Sequence, residues 1–177
     1  EEFGGAGAGH LELCVIAEEM GRANAPVPFS STVYLAAEAL MLAGSDAQKQ
    51  KWLPKIAAGE AVGTLALFEG AGNPSPKAIK LTASGGTLNG VKKPVPDGAI
   101  ADFAVVAART GSTGRDADIS LFLVDLKAGG VEVKELTNVD PTRGQAELTF
   151  KNCKAEPLGA AGEGWGVITQ VLDRAAV

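Results

Sequence analysis

Hydrophobic positions in the first sixty residues recur at helical spacing. Leu13, Ile16, Ala17 and Met20 fall at i, i+3, i+4 and i+7, with Glu12, Glu18 and Glu19 mostly off that stripe, which predicts a helix over 10–21. Gly21 is expected to end it as the residue just past the C-cap. Ala25-Pro26-Val27-Pro28-Phe29 interrupts the pattern. Ser30, Ser31 or Thr32 can cap a second helix, which carries Val33, Leu35, Ala36, Ala39, Leu40 and Leu42 before Gly44. That helix is apolar nearly all round and needs cover on more than one side. In the third, Ser45 and Gln48 form a capping box, Asp46 adds a favourable charge to the first turn, and Gly59 closes a run through Trp52 to Ala58. Pro54 is expected to bend it, because its ring clashes with the carbonyl four residues back.

After Ala61 the period shortens. Apolar, β-branched runs at 62–68, 79–82, 87–91, 103–108, 119–125, 131–136 and 146–150 are separated by turn residues, among them Gly85-Gly86 and Asp116-Ala117-Asp118. So many short strands argue for a closed barrel or sandwich. A glycine-rich loop at 159–164 precedes a last helical pattern over 165–177, with Val167, Ile168, Val171 and Leu172 on one side. Gly162, Gly164 and Gly166 read as hinge and turn residues. The fold class expected is α+β: N-terminal helices at 1–60, a β-barrel or sandwich domain at 61–158, and the start of a further helical domain at 159–177. The helical pattern still runs at Val177, and the chain does not start with Met, so it is read as a piece of a longer protein.

One stretch resists both periods. In 89–102, Asn89-Gly90 is a tight-turn signal, and Pro94 and Pro96 exclude helix and an ordinary central strand. A shaped loop at the rim of the sheet is expected, where sites are commonly built.

Composition narrows the function classes. The 177 residues are 46% hydrophobic and 21% charged, long enough to bury a sizeable core, and no apolar run approaches a membrane span. A net charge of −5 without a Lys/Arg cluster argues against nucleic acid and anionic membrane partners. Cys14 and Cys153 are far apart among apolar neighbours and read as buried, reduced thiols of a cytoplasmic protein. His10 is the one histidine, so no metal site is expected. Gly4 to Gly9 superficially offers a phosphate loop, but no strand precedes it, and a linker is the preferred reading.

Several segments resemble the acyl-CoA dehydrogenase family. Asn89, Gly90, Lys92, Gly98, Ala101 and Asp102 match its flavin-facing pattern; Glu2-Phe3-Gly4-Gly5 matches the connection before its first helix; and the run at 44–60, Gly-Ser-Asp-Ala-Gln-Lys-Gln-Lys-Trp-Leu-Pro-Lys-Ile-Ala-Ala-Gly-Glu, is the most specific match. The resemblance implies an FAD-dependent enzyme that oxidises an acyl-CoA thioester to the 2,3-enoyl-CoA. A glutamate takes the α-proton, a hydride passes to the flavin, and an electron-transfer flavoprotein accepts the electrons. It also implies homo- or hetero-oligomers; the apolar faces at 33–42 and 165–177, which would otherwise be aggregation liabilities, are expected to be interfaces. The base is expected beyond Val177, so no catalytic residue is nominated here and the chain alone is expected to be inactive.

What the resemblance assigns to this chain is one wall of the flavin site: Leu67, Phe68 and Glu69 on one strand, and Pro94, Val95 and Pro96 on the next segment. The sequence departs from the family there. Phe68 stands where a flavin-binding Thr is expected, and Pro96 where a hydroxyl is expected, and proline offers neither N–H nor O–H. The loop that helps hold substrate is replaced by Gly72-Asn73-Pro74-Ser75-Pro76, so the acyl class is not legible. These departures motivate an alternative, a non-catalytic family member serving as structural partner in a hetero-oligomer. Glu69 is also readable as a salt-bridged strand end, and Arg143, in Asp140-Pro141-Thr142-Arg143, as a structural or partner-facing ion-pair former.

Overall fold

The computed structural model describes residues 2–176; Glu1 and Val177 lie outside the described residues. Phe3 packs against the helical core, anchoring the glycine-rich segment that follows it.

Helix α1 spans His10–Arg22 and buries none of its residues fully; Leu11 and Val15 are exposed. Its end differs from the expectation at Gly21. The helix runs one residue further and closes on Asn24, whose φ of 46° reaches the left-handed region. Ala25 N–H donates to Met20 O at 3.0 Å and Asn24 N–H to Gly21 O at 3.1 Å, the paired bonds of a Schellman motif. Asn tolerates that conformation well enough to replace glycine.

Helix α2 is π-helical over Ser30–Ala37 and α-helical over Glu38–Ala43. None of its early hydroxyls caps it. Ser31 Oγ instead donates to Asp97 Oδ2 at 2.6 Å, and Thr32 Oγ1 accepts from Gly63 N at 3.2 Å. Both fasten the helix to the sheet. Helix α3, Asp46–Ala57, has the expected capping box, with Gln48 N–H 3.3 Å from Ser45 Oγ and Ser45 N–H 3.1 Å from Gln48 Oε1. The Gln48 amide also donates to Pro157 O at 3.0 Å.

Eight strands follow: β1 Gly63–Ala66, β2 Thr82–Ser84, β3 Thr87–Pro96, β4 Phe103–Arg109, β5 Ile119–Asp125, β6 Val131–Glu135, β7 Gln145–Lys154 and β8 Glu156–Leu158. Their order is β6-β7-β3-β2-β4-β5-β8, with β1 lying parallel to β4 from Gly63 opposite Phe103 to Ala66 opposite Val106. The chain leaving β1 then makes a parallel bridge from Glu69 to Lys93 on β3, so β1 links two strands the main order separates. The sheet thereby curls. Along β4, Phe103, Val105 and Ala107 face the helices, while Ala104, Val106 and Ala108 face an interior shared with Leu88, Val95, Leu148 and Phe150. Burial on both faces explains why β4 reads as a continuous apolar run rather than an alternation.

Two expectations for 89–102 change. The hairpin between β2 and β3 turns at Gly85-Gly86, with φ of 57° and 76°, as a type I′ turn requires. Asn89-Gly90 lies inside β3, where the register against β7 shifts and Gly90 takes φ 138°. A side chain at 90 would stand 3.0 Å from the Leu81 Cα, so close approach and φ both favour glycine, while the extra residue of the bulge lies on β7, where Cys153 to Phe150 faces Leu88 to Gly90. The proline segment is likewise strand rather than loop: β3 continues beside β7 with Val95 opposite Ala146 and Pro96 opposite Gln145. A second register shift between Lys92 and Val95 spans Pro94, so the missing N–H falls where the ladder is already interrupted. The chain turns instead just past the end of β3, where Ala101 N–H donates to Asp97 O at 3.1 Å.

Helix α4, Gly164–Ala175, buries Ile168 and Val171 against the helix-facing side of the sheet. Arg174 pairs with the buried Glu38 of α2, and His10 Nε2 of α1 lies 3.6 Å from the same carboxylate. The two cysteines are unpaired; Cys153 is buried, but Cys14 is only half-buried, because α1 is covered on one side alone.

Candidate functional site

A cavity of about 210 Å³ opens beside the end of β1. It is lined by 67–75 together with Ala78, Ile79 and Lys80, the segment that leaves β1 and the loop that returns toward β2.

Glu69 is the hinge of this arrangement. Its Oε2 accepts the Lys80 N–H at 2.7 Å and its Oε1 the Leu81 N–H at 3.1 Å. The same Oε1 lies 2.7 Å from Lys92 Nζ, which also donates to Leu67 O at 3.2 Å. Lys92 is wholly buried, with a side chain 0% exposed against 11% for Glu69. Burial pushes the lysine down to about 8, and the facing carboxylate resists that fall. Glu69 is thus salt-bridged, as one of the two sequence readings had it. Lys93 alternates outward and pairs with Glu147 of β7 at 2.8 Å.

The backbone draws the two expected wall segments together. Lys93 N–H donates to Phe68 O at 2.7 Å, and Gly70 N–H to Lys93 O at 2.7 Å. Leu67, Phe68 and Glu69 line the cavity; Pro94, Val95 and Pro96 do not. Val95 is fully buried in the sheet interior, Pro94 is exposed, and Pro96 is half-buried with its carbonyl taken by Thr64 Oγ1 at 2.6 Å. Phe68 packs partly against the helical core. Arg143 is exposed, and its loop is organised by polar side chains on the backbone, with Asn138 Nδ2 donating to Arg143 O at 3.0 Å and Thr142 N–H donating to Asp140 Oδ1 at 2.9 Å; among the described residues its guanidinium makes no ion pair.

The side chains at 67–69 and 94–96 include one polar group, the Glu69 carboxylate, and it is already engaged. These residues fit the apolar faces and edges of a planar ring through shape and backbone, and they offer it no side-chain hydrogen bond. Sequence reasoning treated Lys92 as a motif match alone and passed over Thr64 and Lys80. Its available signal was register: an even count from Leu88 puts Lys92 on the inward face of β3, where a charge is unexpected.

A mixed, curled sheet covered on one side by helices, with its cavity beside the first strand, defines the class of protein. Profiles for the acyl-CoA dehydrogenase N-terminal domain and middle domain match residues 1–60 and 69–153. The chain belongs to the acyl-CoA dehydrogenase family. It is 34% identical to the mitochondrial isovaleryl-CoA dehydrogenase of Solanum tuberosum over 98% of this chain and 45% of that protein. Among solved structures, the electron transferring flavoprotein of Acidaminococcus fermentans matches at 30% identity and a TM-score of 0.88, covering 98% of this chain and 49% of that one. Butyryl-CoA dehydrogenase from Megasphaera elsdenii matches at 27% identity and a TM-score of 0.74, covering 82% and 41%. The chain spans about half the length of the curated relatives it matches.

Proposed function

We propose that this chain forms the first helical part and the sheet part of an FAD-dependent acyl-CoA dehydrogenase that converts an acyl-CoA thioester to its 2,3-enoyl-CoA. The observation that carries the reading is the parallel bridge between Glu69 and Lys93, which sets the two segments expected to wall the flavin side by side, the first of them lining a cavity. Leu67, Phe68 and Glu69 border the ring there, and Pro94 and Pro96 shape the neighbouring edge. When bound, the flavin supplies the hydride acceptor; this chain supplies an apolar surface and backbone contacts. We further propose the division 1–60, 61–158 and 159–177, an electron-transfer flavoprotein as electron acceptor, assembly as an oligomer, and a cytoplasmic, reducing location in keeping with the unpaired cysteines. Among the described residues no helix is long and apolar enough to cross a membrane.

The test is an absorbance spectrum of the full-length protein after incubation with FAD, before and after acyl-CoA thioesters of graded chain length. Flavin bands bleached by one chain-length class support the reading and name the substrate. A protein that stays colourless after reconstitution sinks it. That outcome belongs to a second reading, a non-catalytic structural partner, which one observation favours: Phe68 and Pro96 bring no hydroxyl, and the Pro96 carbonyl is already taken by Thr64.

A further inference from the structure

The loop 70–79 has no helix or strand of its own, and the cavity keeps its shape because that loop is brought back against the sheet. The return is tied at one side chain. Glu69 holds the backbone N–H groups of Lys80 and Leu81 at 2.7 and 3.1 Å, and Lys92 holds Glu69 from inside the sheet at 2.7 Å.

The geometry points to Lys92 as a positioning residue for this cavity: acting through Glu69, its ammonium sets where loop 70–79 rejoins the sheet, and with it the fit of a planar apolar ligand. An apolar side chain would fill the same buried position without bringing a charge out of water, so volume alone does not account for a lysine there. A lone carboxylate at 69, nearly enclosed and without its cation, would turn toward solvent and release both N–H groups. Among the charged side chains nearby, Glu69 faces the ammonium, whereas Lys93 of β3 and Glu147 of β7 are paired with each other outside. This inference rests on reading the cavity as part of a ligand site, but its first arm needs no ligand.

The experiment is amide hydrogen exchange on the full chain, comparing the native sequence with Lys92→Met, Glu69→Gln and the double variant. Exchange at Lys80 and Leu81 should quicken about ten- to a hundredfold in each variant, the range expected for losing a charge-assisted hydrogen bond. In the double variant, which leaves no buried charge unpaired, global protection should return toward the native level while Lys80 and Leu81 stay fast. If Lys92→Met does not fold, Lys92→Gln, which removes the charge and keeps a polar group beside Glu69, takes its place. Unchanged exchange at Lys80 and Leu81 in the Lys92 variant or in Glu69→Gln, or full recovery at both amides in the double variant, overturns the proposal. In the second arm, FAD binding followed by quenching of flavin fluorescence should weaken in the double variant. This arm uses the full-length protein, and failure of its native form to bind FAD would count against the proposed function and leave the exchange result standing.

Discussion

Lys92 Nζ lies 2.7 Å from Glu69 Oε1, a charge pair closed off from water at the foot of the cavity wall. Burial pushes the lysine to about 8 in the folded chain, against an ordinary value of 10.5. Between those two values the unfolded chain binds more protons than the folded one, so stability should rise with pH across that window and be lost as pH falls back through about 8. The gain should be on the order of 1–3 kcal/mol. Urea unfolding at pH 7.5 and pH 10, compared with Lys92→Met, checks it. A slope that persists in Lys92→Met would assign the effect to other groups.

Gly63 sits where β1 packs closely on α2 and the Phe103 ring. A Cβ there would stand 2.5 Å from the Phe103 ring and 2.7 Å from the Ala36 Cβ. Gly63→Ala should therefore cost about 1–3 kcal/mol or more through forced repacking. Thermal denaturation measures it, with Gly5→Ala, at an exposed site with open space, as the comparison.

Glu38 is a buried carboxylate on α2 that meets Arg174 of α4 and stands 3.6 Å from His10 of α1. Replacing it with Ala should lower stability by about 1–3 kcal/mol, since a charge-assisted bond is lost beside groups that then need water. Limited proteolysis should show the cut sites moving into α4 first, because α4 has its tie to α2 at that end. Equal loosening of α3 would argue against a local role.

If the wall at 67–69 and 94–96 borders a flavin, restoring a hydroxyl should tighten it. Pro96→Thr in the full-length protein should bind FAD about five- to a hundredfold more tightly, the range of one hydrogen bond to a buried ring acceptor. Phe68→Thr should act in the same direction with a smaller net gain, because Phe68 also packs against the helical core. Titration of FAD by fluorescence decides, and weaker binding in Pro96→Thr would remove Pro96 from the ring's edge.

The capping box at Ser45 and Gln48 offers a local check. Ser45→Ala should destabilise by about 0.5–2 kcal/mol, measured by thermal melting. Gln48→Ala should cost more, since the same amide also reaches the Pro157 carbonyl at 3.0 Å and ties α3 to β8.

What was legible in the sequence was local. Ser45 and Gln48 announce α3 because a capping box is made by residues three apart, and Ile168 and Val171 mark a helical face because their spacing is the helix's own. The strand runs were readable for the same reason, and so were the family motifs at 44–60 and 89–102. By itself the sequence determined the helices, nearly all the strands, and the family. The tertiary structure decided what depends on partners distant along the chain. Asn89-Gly90 carries a turn signal, yet Gly85-Gly86 forms the turn, because pairing with β7 holds residues 87–96 extended. Pro94 sits in a strand because a register shift absorbs the missing hydrogen bond, and Pro96 is tolerated as the last residue of β3. The short β8, with Pro157 inside it, exists only because Leu121 to Leu123 offer it an edge. Lys92 gained its meaning last. Its charge is unremarkable in sequence, and only the folding of residue 69 against residue 92 encloses it with a carboxylate, where the low dielectric strengthens their attraction against the cost of desolvation.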